Sequence, residues 1–472
     1  MAIFSERTVM SAPIDVLEDI PGRDTDRSLA STVSRSVSAT AAALGQGHRG
    51  LIALCDQGVV SATNFATGVI IGRVCGKAEL GVYMLAWTLI TLTTDISATL
   101  TTTPYTVFSP QLRRRRRSQY LGSILGHQLL LSMMFALIMA AGGFLGSWRG
   151  WVSNSVAGVI TTTAGVIAFI NLREFVRRVS FANLRMNWAL AVDVTACLAQ
   201  VGGMLVLLHF SRLTASRTIT LLGMSCALAA GAWLAVHRGA ILCHTRIYAQ
   251  DLKRNWQFTK WVLASCILSV FARYLYPWVL TAFHGTAVTG VWAACLGIVA
   301  LGNPVLMGLG NYIGPKISNV YAISGLATMR RYVYRSSLVF ALMLLPVVVV
   351  LAGWGDRIVR GLYGDAYAGN GGVILVLALN LLITALTYPF FCGLFTLECT
   401  KADLLINLVA ITLLFTVGVA AVKSYAALGT ATTLFVTTVL TTVIRIGVFA
   451  REIRRRSEGE PTASSPVAIT SC

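Results

Sequence analysis

Five ionisable side chains stand inside otherwise apolar stretches of this 472-residue sequence: Asp56, Asp95, Asp193, Arg273 and Arg445. An ionised group at the centre of a membrane helix costs about 2.5 to 3.5 kcal/mol on insertion scales, so it faces a partner or a watery cavity and points to binding, gating or ion coupling. Arg273 lies about 13 residues, roughly 20 Å, into its stretch, too deep to reach water easily at either end. Tyr274, Tyr276 and Pro277 follow it, and the proline predicts a kink. Two readings of Arg273 stand side by side: a fixed cation in a central cavity that attracts an anionic substrate such as a diphosphate, or a structural ion pair with Asp56, Asp95 or Asp193. Arg445 lies near the end of its stretch, where snorkelling accounts for it. Asp56, only about five residues from its own end, suits a structural, gating or ion-coupling role, and Asp193 is grouped with it.

Neutral polar residues accompany these charges. Asn64 shares a helical face with Asp56, Val60, Thr63 and Thr67, which gives one apolar stretch a polar stripe. Asp95 sits among Thr91, Thr93, Thr94, Thr99 and Thr101 to Thr103. That face either lines water or bonds back to its own helix carbonyls.

The elements that must hold these residues are membrane helices. The chain is 56% hydrophobic and 12% charged, with a mean hydropathy of +0.71, against about 25% charged residues in ordinary soluble domains. Twelve apolar segments follow Leu51, at about 51–72, 80–102, 120–146, 152–172, 188–210, 218–236, 260–283, 287–312, 336–355, 370–395, 403–422 and 426–449. If both tails share a side with the loops after every second span, that side holds 28 of the 38 Lys and Arg, and the other holds eight. The positive-inside rule then makes the tails and the basic loops cytoplasmic and the protein multi-pass. Placed this way, the net charge of +19 sets orientation and does not recruit nucleic acid.

Residues 1–50 form an N-terminal tail that mixes acids, bases and then Ser, Thr and Ala, a composition expected to be disordered. Two six-span units follow, 51–236 and 260–449, joined by a basic linker at 237–259 and ending in a tail at 450–472. Shifting the chain by 209 places Gly81-Val82-Tyr83 on Gly290-Val291-Trp292, and Asn64 on Arg273. Two six-helix bundles of one orientation are the parallel-repeat plan of transporters, with substrate between the halves near the midplane. The expected fold class is therefore an all-α polytopic membrane protein of about twelve transmembrane helices in two six-helix bundles related as parallel repeats.

Other chemistry is poorly served. The ten cysteines include no C-x-x-C pair, no His/Cys/Asp/Glu group has metal-ligand spacing, and no Walker loop, Ser-His-Asp set or paired carboxylates can be read. The outward loops are short, the longest running from Asp356 to Gly369, and leave no room for a catalytic domain. Arg113, Arg114, Arg115, Arg116 and Arg117 form a block worth about 1 kcal/mol per residue in attraction to an anionic leaflet, and read as a lipid-headgroup anchor. His127 reads as an interhelical hydrogen-bonding residue.

The run from Asp56 through Gly58-Val59-Val60-Ser61-Ala62-Thr63-Asn64-Phe65, with Gly72-Arg73 and Glu79-Leu80-Gly81-Val82-Tyr83, resembles bacterial polysaccharide biosynthesis flippases of the multidrug/oligosaccharidyl-lipid/polysaccharide exporter superfamily. Tyr312 with Pro315-Lys316, Tyr321-Ala322 and Gly325, and the segment from Arg173-Glu174-Phe175 to Phe181-Ala182, share the resemblance. It implies a MATE-like pair of six-helix bundles that opens a central cavity to each side in turn. A polyprenyl-diphosphate-linked oligosaccharide would cross the inner membrane for envelope or exopolysaccharide synthesis while its lipid tail stays in the bilayer. Arg273 would supply charge to that cavity, and Asn64, Asp95 and Tyr274 would line it. No cofactor is implied, and coupling to Na⁺, to protons or to the membrane potential is left open. The partners implied are the lipid-linked oligosaccharide, anionic lipids, and polysaccharide polymerase and export components. A cation-coupled multidrug antiporter of the same fold is the alternative, which Asp56 and Asp95 suit and Arg273 opposes. A membrane-embedded polysaccharide polymerase or transferase ranks below both.

Overall fold

The computed structural model describes residues 52, 55–242 and 245–459; the tail at 1–50 and the stretch 460–472 lie outside the described residues. Among the described residues there are helices and short connections, and no strand. In chain order the helices are α1 (55–74), α2 (Lys77–Leu100), α3 (Thr102–Phe108), α4 (Arg114–Trp148), α5 (Asn154–Ala182), α6 (Met186–His209) and α7 (Ala215–His237). The second half holds α8 (Thr245–Tyr274), α9 (Tyr276–Val299), α10 (Asn303–Tyr363), α11 (Gly371–Thr396), α12 (Thr400–Leu413), a π-helical turn at Leu414–Gly418, and α13 (Val419–Gly459).

Among the described residues, nine helices are long and apolar enough to cross a membrane. Two of these stretches, Ile247–Gly302 and Ala402–Glu458, are each broken once by a left-handed residue, at Gly285 and at Ala426. A third, Tyr312–Tyr363, is broken in the same way at Gly325. The kink expected near Pro277 falls at Leu275, between α8 and α9. Proline has no N–H to donate and crowds the carbonyl four residues back, which here belongs to Arg273. The basic linker is in part helical, since α8 starts at Thr245, well before the span it leads into.

The repeat is written in the backbone. Eight of the ten left-handed residues among the described residues fall in matching pairs, Gly76 and Gly285, Gly150 and Gly364, Leu184 and Glu398, Ser211 and Ala426, while Gly325 and Gly369 have no counterpart. The offset within a pair is 209 for the first and 214 for the next two. It becomes 215 for the last, and the π turn at Leu414–Gly418, a helix with one residue too many for its pitch, lies between the last two pairs in the second half. Gly76 and Gly285 share even their angles, φ 86 with ψ 179 and φ 77 with ψ 177. Only glycine adopts that conformation without strain.

The halves meet most intimately where the sequence repeat was read. A Cβ on Gly81 would collide with the carbonyl of Thr286, and one on Gly290 with the carbonyl of Lys77. Residues 77 and 286 are themselves 209 apart, so the contact is symmetric: each glycine is bare because the other half's backbone occupies its side-chain space. Elsewhere glycine serves packing inside a bundle, with Gly223 against Val166 and Gly203 against Leu221. This is how membrane helices approach when lipid offers no hydrophobic drive. Large apolar side chains such as Leu137, Leu198, Met224 and Val443 are left exposed on the outside, as a lipid-facing surface requires.

Candidate functional site

Near the centre of the first half, α1, α5 and α6 bring six charges together. Asp56 and Asp193 are fully buried. Arg177 of α5 bridges them, donating from Nη2 to Asp56 Oδ2 at 2.9 Å and from Nε to Asp193 Oδ2 at 2.7 Å. Arg173, one turn earlier, places Nη2 2.6 Å from Asp193 Oδ1 as an ion pair without hydrogen-bond alignment. Arg178 donates from Nε to Glu174 Oε1 at 2.7 Å, and Arg177 reaches the same oxygen at 3.4 Å. Three guanidinium groups thus face three carboxylates. Asp56 and Asp193 are in this way held by α5, and neither is the partner of Arg273.

An apolar run that ends at residue 172 puts Arg173, Glu174, Arg177 and Arg178 in a loop. In the structure α5 continues to Ala182. The signal was present: Phe175, Val176, Val179 and Phe181 keep a helical apolar pattern, and neither Gly nor Pro interrupts it before Asn183. At 1.5 Å per residue Arg173 stands roughly 29 Å from the start of α5, near the edge of a hydrocarbon core about 30 Å thick.

Beside this network lie two adjoining cavities of about 200 and 250 Å³ that share Asp95. The first is walled by Asn64, Thr94, Arg173, Glu174 and Gln200 among others. The second is walled by Asp95, Thr99, Thr103, Arg178, Ser269 and Arg273, so that it follows α2 and α3 toward the end of the bundle bearing the basic loops. Asn64 and Arg273, equivalent under the 209 shift, thus each face a cavity, one from each half. Arg273 is exposed, its Nε donates to Ser269 O at 3.4 Å, and its guanidinium stands 5.6 Å from the Tyr274 ring centre. Among the described residues it makes no ion pair, and neither does Asp95. Sitting in the last turn of α8, Arg273 also complements the negative end of that helix.

The threonines of α2 mostly turn back on their own helix: Thr91 donates to Trp87 O, Thr93 to Leu89 O and Thr99 to Asp95 O. Thr94 instead crosses to Asn171 Oδ1 at 2.9 Å. Arg445 pairs with Asp403 at 2.8 Å, and since α13 runs on to Gly459 this ion pair, not a place near the helix end, accounts for it. His127 is buried, 3.2 Å from the carbonyl of Tyr248, and connects α4 with α8.

The other end of the cavity is shut. Beyond the Gly81 and Gly290 contact, Tyr367 donates its hydroxyl to Gly72 O at 3.0 Å and Arg73 donates to Gly361 O at 3.2 Å. Tyr363 fills the space above Gly72, and Trp278 Nε1 donates to Thr88 Oγ1 at 2.8 Å.

The arginine block divides by helical position. Arg116 pairs with Asp251 of α8, donating to Oδ2 at 3.2 Å and also to Oδ1, and next to it Tyr120 donates to Asn255 Oδ1 at 2.7 Å. The start of α8 is thereby fastened to the first half. Arg114 and Arg117 turn instead into a separate pocket, and Arg113 and Arg115 are exposed.

No protein-family model matches the sequence, and no curated protein matches it. Solved structures do resemble the fold. An inward-facing multidrug resistance MATE family transporter of the MOP superfamily superposes with a TM-score of 0.72 at 12% identity, over 85% of this chain and 96% of that one. The lipid II flippase MurJ in an inward closed conformation gives 0.63 at 12% identity, over 88% and 94%. A MOP superfamily transporter from Pyrococcus furiosus gives 0.62 at 13% identity, over 86% and 95%. The chain has the fold of these proteins, a MATE-like polytopic helical membrane protein.

Proposed function

We propose that this protein is a transporter of the MOP superfamily that flips a polyprenyl-diphosphate-linked oligosaccharide across the inner membrane by alternating access, for envelope or exopolysaccharide synthesis. The observation that carries the reading is Arg273, a guanidinium exposed in the cavity between the halves, with no carboxylate in ion-pair reach among the described residues. A diphosphate gives up hydration on entering such a site, and unpaired donors in low dielectric replace it. Arg178, on the same wall and partly committed to Glu174, supplies a second cation. Asn64, Gln200 and Thr94 offer neutral partners for sugar hydroxyls. The similarity to the flippase MurJ supports a lipid-linked substrate, and that to MATE transporters supports transport in general.

In this reading the basic loops and both tails are cytoplasmic, the cavity is caught open toward that side, and the seal of Tyr363 and Tyr367 over Gly72 is the external gate. Anionic lipids surround the basic face, Na⁺, protons or the membrane potential drive the cycle, and the polymerase and export components take the product. Arg273→Ala, expressed and inserted as the wild type is, is expected to abolish surface polysaccharide and leave lipid-linked repeat units on the cytoplasmic leaflet. Normal polysaccharide in that mutant would refute the role.

One observation favours a second reading, a cation-coupled multidrug antiporter: Asp95, also without an ion pair among the described residues, lines both cavities. Drug resistance on overexpression, lost in Asp95→Asn and accompanied by normal lipid-linked sugars in a deletion strain, is the outcome that would select it.

A further inference from the structure

A third cavity of about 410 Å³ shares no lining residue with the two central ones. It lies wholly in the first half, at the basic end, where α4 and α6 begin and α5 and α7 end. Its walls carry Arg114, Arg117 and Arg185 together with His237, and no acidic residue. Among the described residues none of the three arginines makes an ion pair, in contrast to Arg116 next to them. Arg117 donates to Asn183 Oδ1, which, with the Tyr105 hydroxyl 3.3 Å away, sets the guanidinium in place.

The floor of this pocket supplies an independent observation. Trp233 lines the pocket and is 6% exposed, and its buried indole N–H has no hydrogen-bond partner among the described residues. A buried donor left unmade costs about 1 to 3 kcal/mol, so it marks a place for an acceptor. The Trp233 ring is fixed by His237, stacked at 4.3 Å, whose Nδ1 lies 3.0 Å from the Trp233 carbonyl. With that nitrogen donating to the carbonyl, Nε2 remains for another partner. The first turns of α4 and α6 add positive helix ends to the same space.

We infer that this pocket binds a phosphate group, either that of an anionic lipid headgroup in the adjoining leaflet or free inorganic phosphate, held by Arg114, Arg117 and Arg185 with Trp233 Nε1–H as the buried donor. The site is separate from the central cavity and stands whether or not the transport reading does. Three guanidinium forks suit a tetrahedral oxyanion.

The full-length protein, purified and stripped of lipid in detergent, tests this by thermal stabilisation and by native mass spectrometry of retained lipid. The probes are phosphatidic acid and phosphatidylglycerol against phosphatidylcholine, and sodium phosphate against sodium chloride at equal ionic strength. Stabilisation by the two anionic lipids alone identifies a headgroup as the source; stabilisation by phosphate as well identifies the free ion. In either case Arg117→Gln with Arg185→Gln is expected to weaken the bound species about tenfold or more, and Trp233→Phe several-fold. Arg330→Gln with Arg331→Gln, exposed on α10 of the second half, removes the same charge outside the pocket and is expected to change binding less than about twofold. Arg185→Gln alone alters an exposed side chain and guards against misfolding. Equal binding by the pocket and control variants, or no response to any probe, overturns the site.

Discussion

Where the first half holds Arg173, Glu174, Arg177 and Asp193, the second half, at an offset of 214 fixed by its left-handed residues, holds Thr387, Tyr388, Phe391 and Asn407. Asp56 is likewise matched by Ser265 at the offset of 209. The backbones correspond while the chemistry does not. In the second half the Thr387 hydroxyl meets that of Thr442 at 2.5 Å, Tyr388 stacks on Phe340 with ring centres 6.1 Å apart, and Asn407 donates to Asp403 at 3.3 Å. One bundle is thus locked by a network of six buried or half-buried charges and the other by aromatic packing, a hydroxyl pair and the single Arg445–Asp403 ion pair that Asn407 joins. The seal reverses the contribution, because Tyr363 and Tyr367 of the second half, opposite Arg149 and Ser153 in number, close over Gly72 of the first. A duplicated scaffold here carries divided labour: the first half organises charge near the cavity, and the second supplies the closing side chains together with Arg273.

The shared scaffold is tested most severely at its symmetric point. Leucine at Gly81 or at Gly290 must displace the other half's backbone, and each is expected to cost more than about 4 kcal/mol, seen as loss of a monodisperse folded species on size exclusion. A large effect at one site and a small one at the other would break the symmetry. Next in size, Asp193→Asn strips Arg173 and Arg177 of a buried counter-charge and is expected to destabilise by about 3 to 5 kcal/mol in thermal unfolding. Asn407→Ala at the matching position removes one long hydrogen bond, at about 0.5 to 1.5 kcal/mol. Comparable losses at these two positions would show that the halves are locked alike.

The seal is expected to respond least. Tyr367→Phe deletes a single buried hydrogen bond, about 1 kcal/mol. Burial pushes the Tyr367 phenol up to about 12, so the folded state favours its protonated form. Its contribution is complete below the unfolded value near 10 and fades as pH rises from there through about 12. Thermal stability of the wild type should therefore fall toward that of Tyr367→Phe in this window, and parallel pH profiles for the two would remove Tyr367 from the seal.

How much could be read beforehand follows from what each feature depends on. The spans were legible because lipid demands long apolar runs, and the repeat because Gly81 and Gly290 are constrained by backbone contact, which only glycine satisfies. The α5 network was not legible, since counting charge by side assigns Arg173, Arg177 and Arg178 to a loop when they are folded back into the bundle. Arg116 could not be separated from its four neighbours either. Its partner Asp251 is 135 residues away, and only the packing of α8 on α4 brings them together. The π turn was hidden because one extra residue leaves composition unchanged.

The Gly81 and Gly290 contact has a mechanical meaning. Two backbones that touch without intervening side chains have no rotamers with which to slide, so relative motion that keeps the contact is rotation about it. For such a rotation it would be the fulcrum. Asp95, fourteen residues along α2 from Gly81, stands at the end of an arm about 21 Å long. A rocking of only some 20° would carry it about 7 Å, enough to turn a narrow crevice into an open mouth, while the bearing itself scarcely moves.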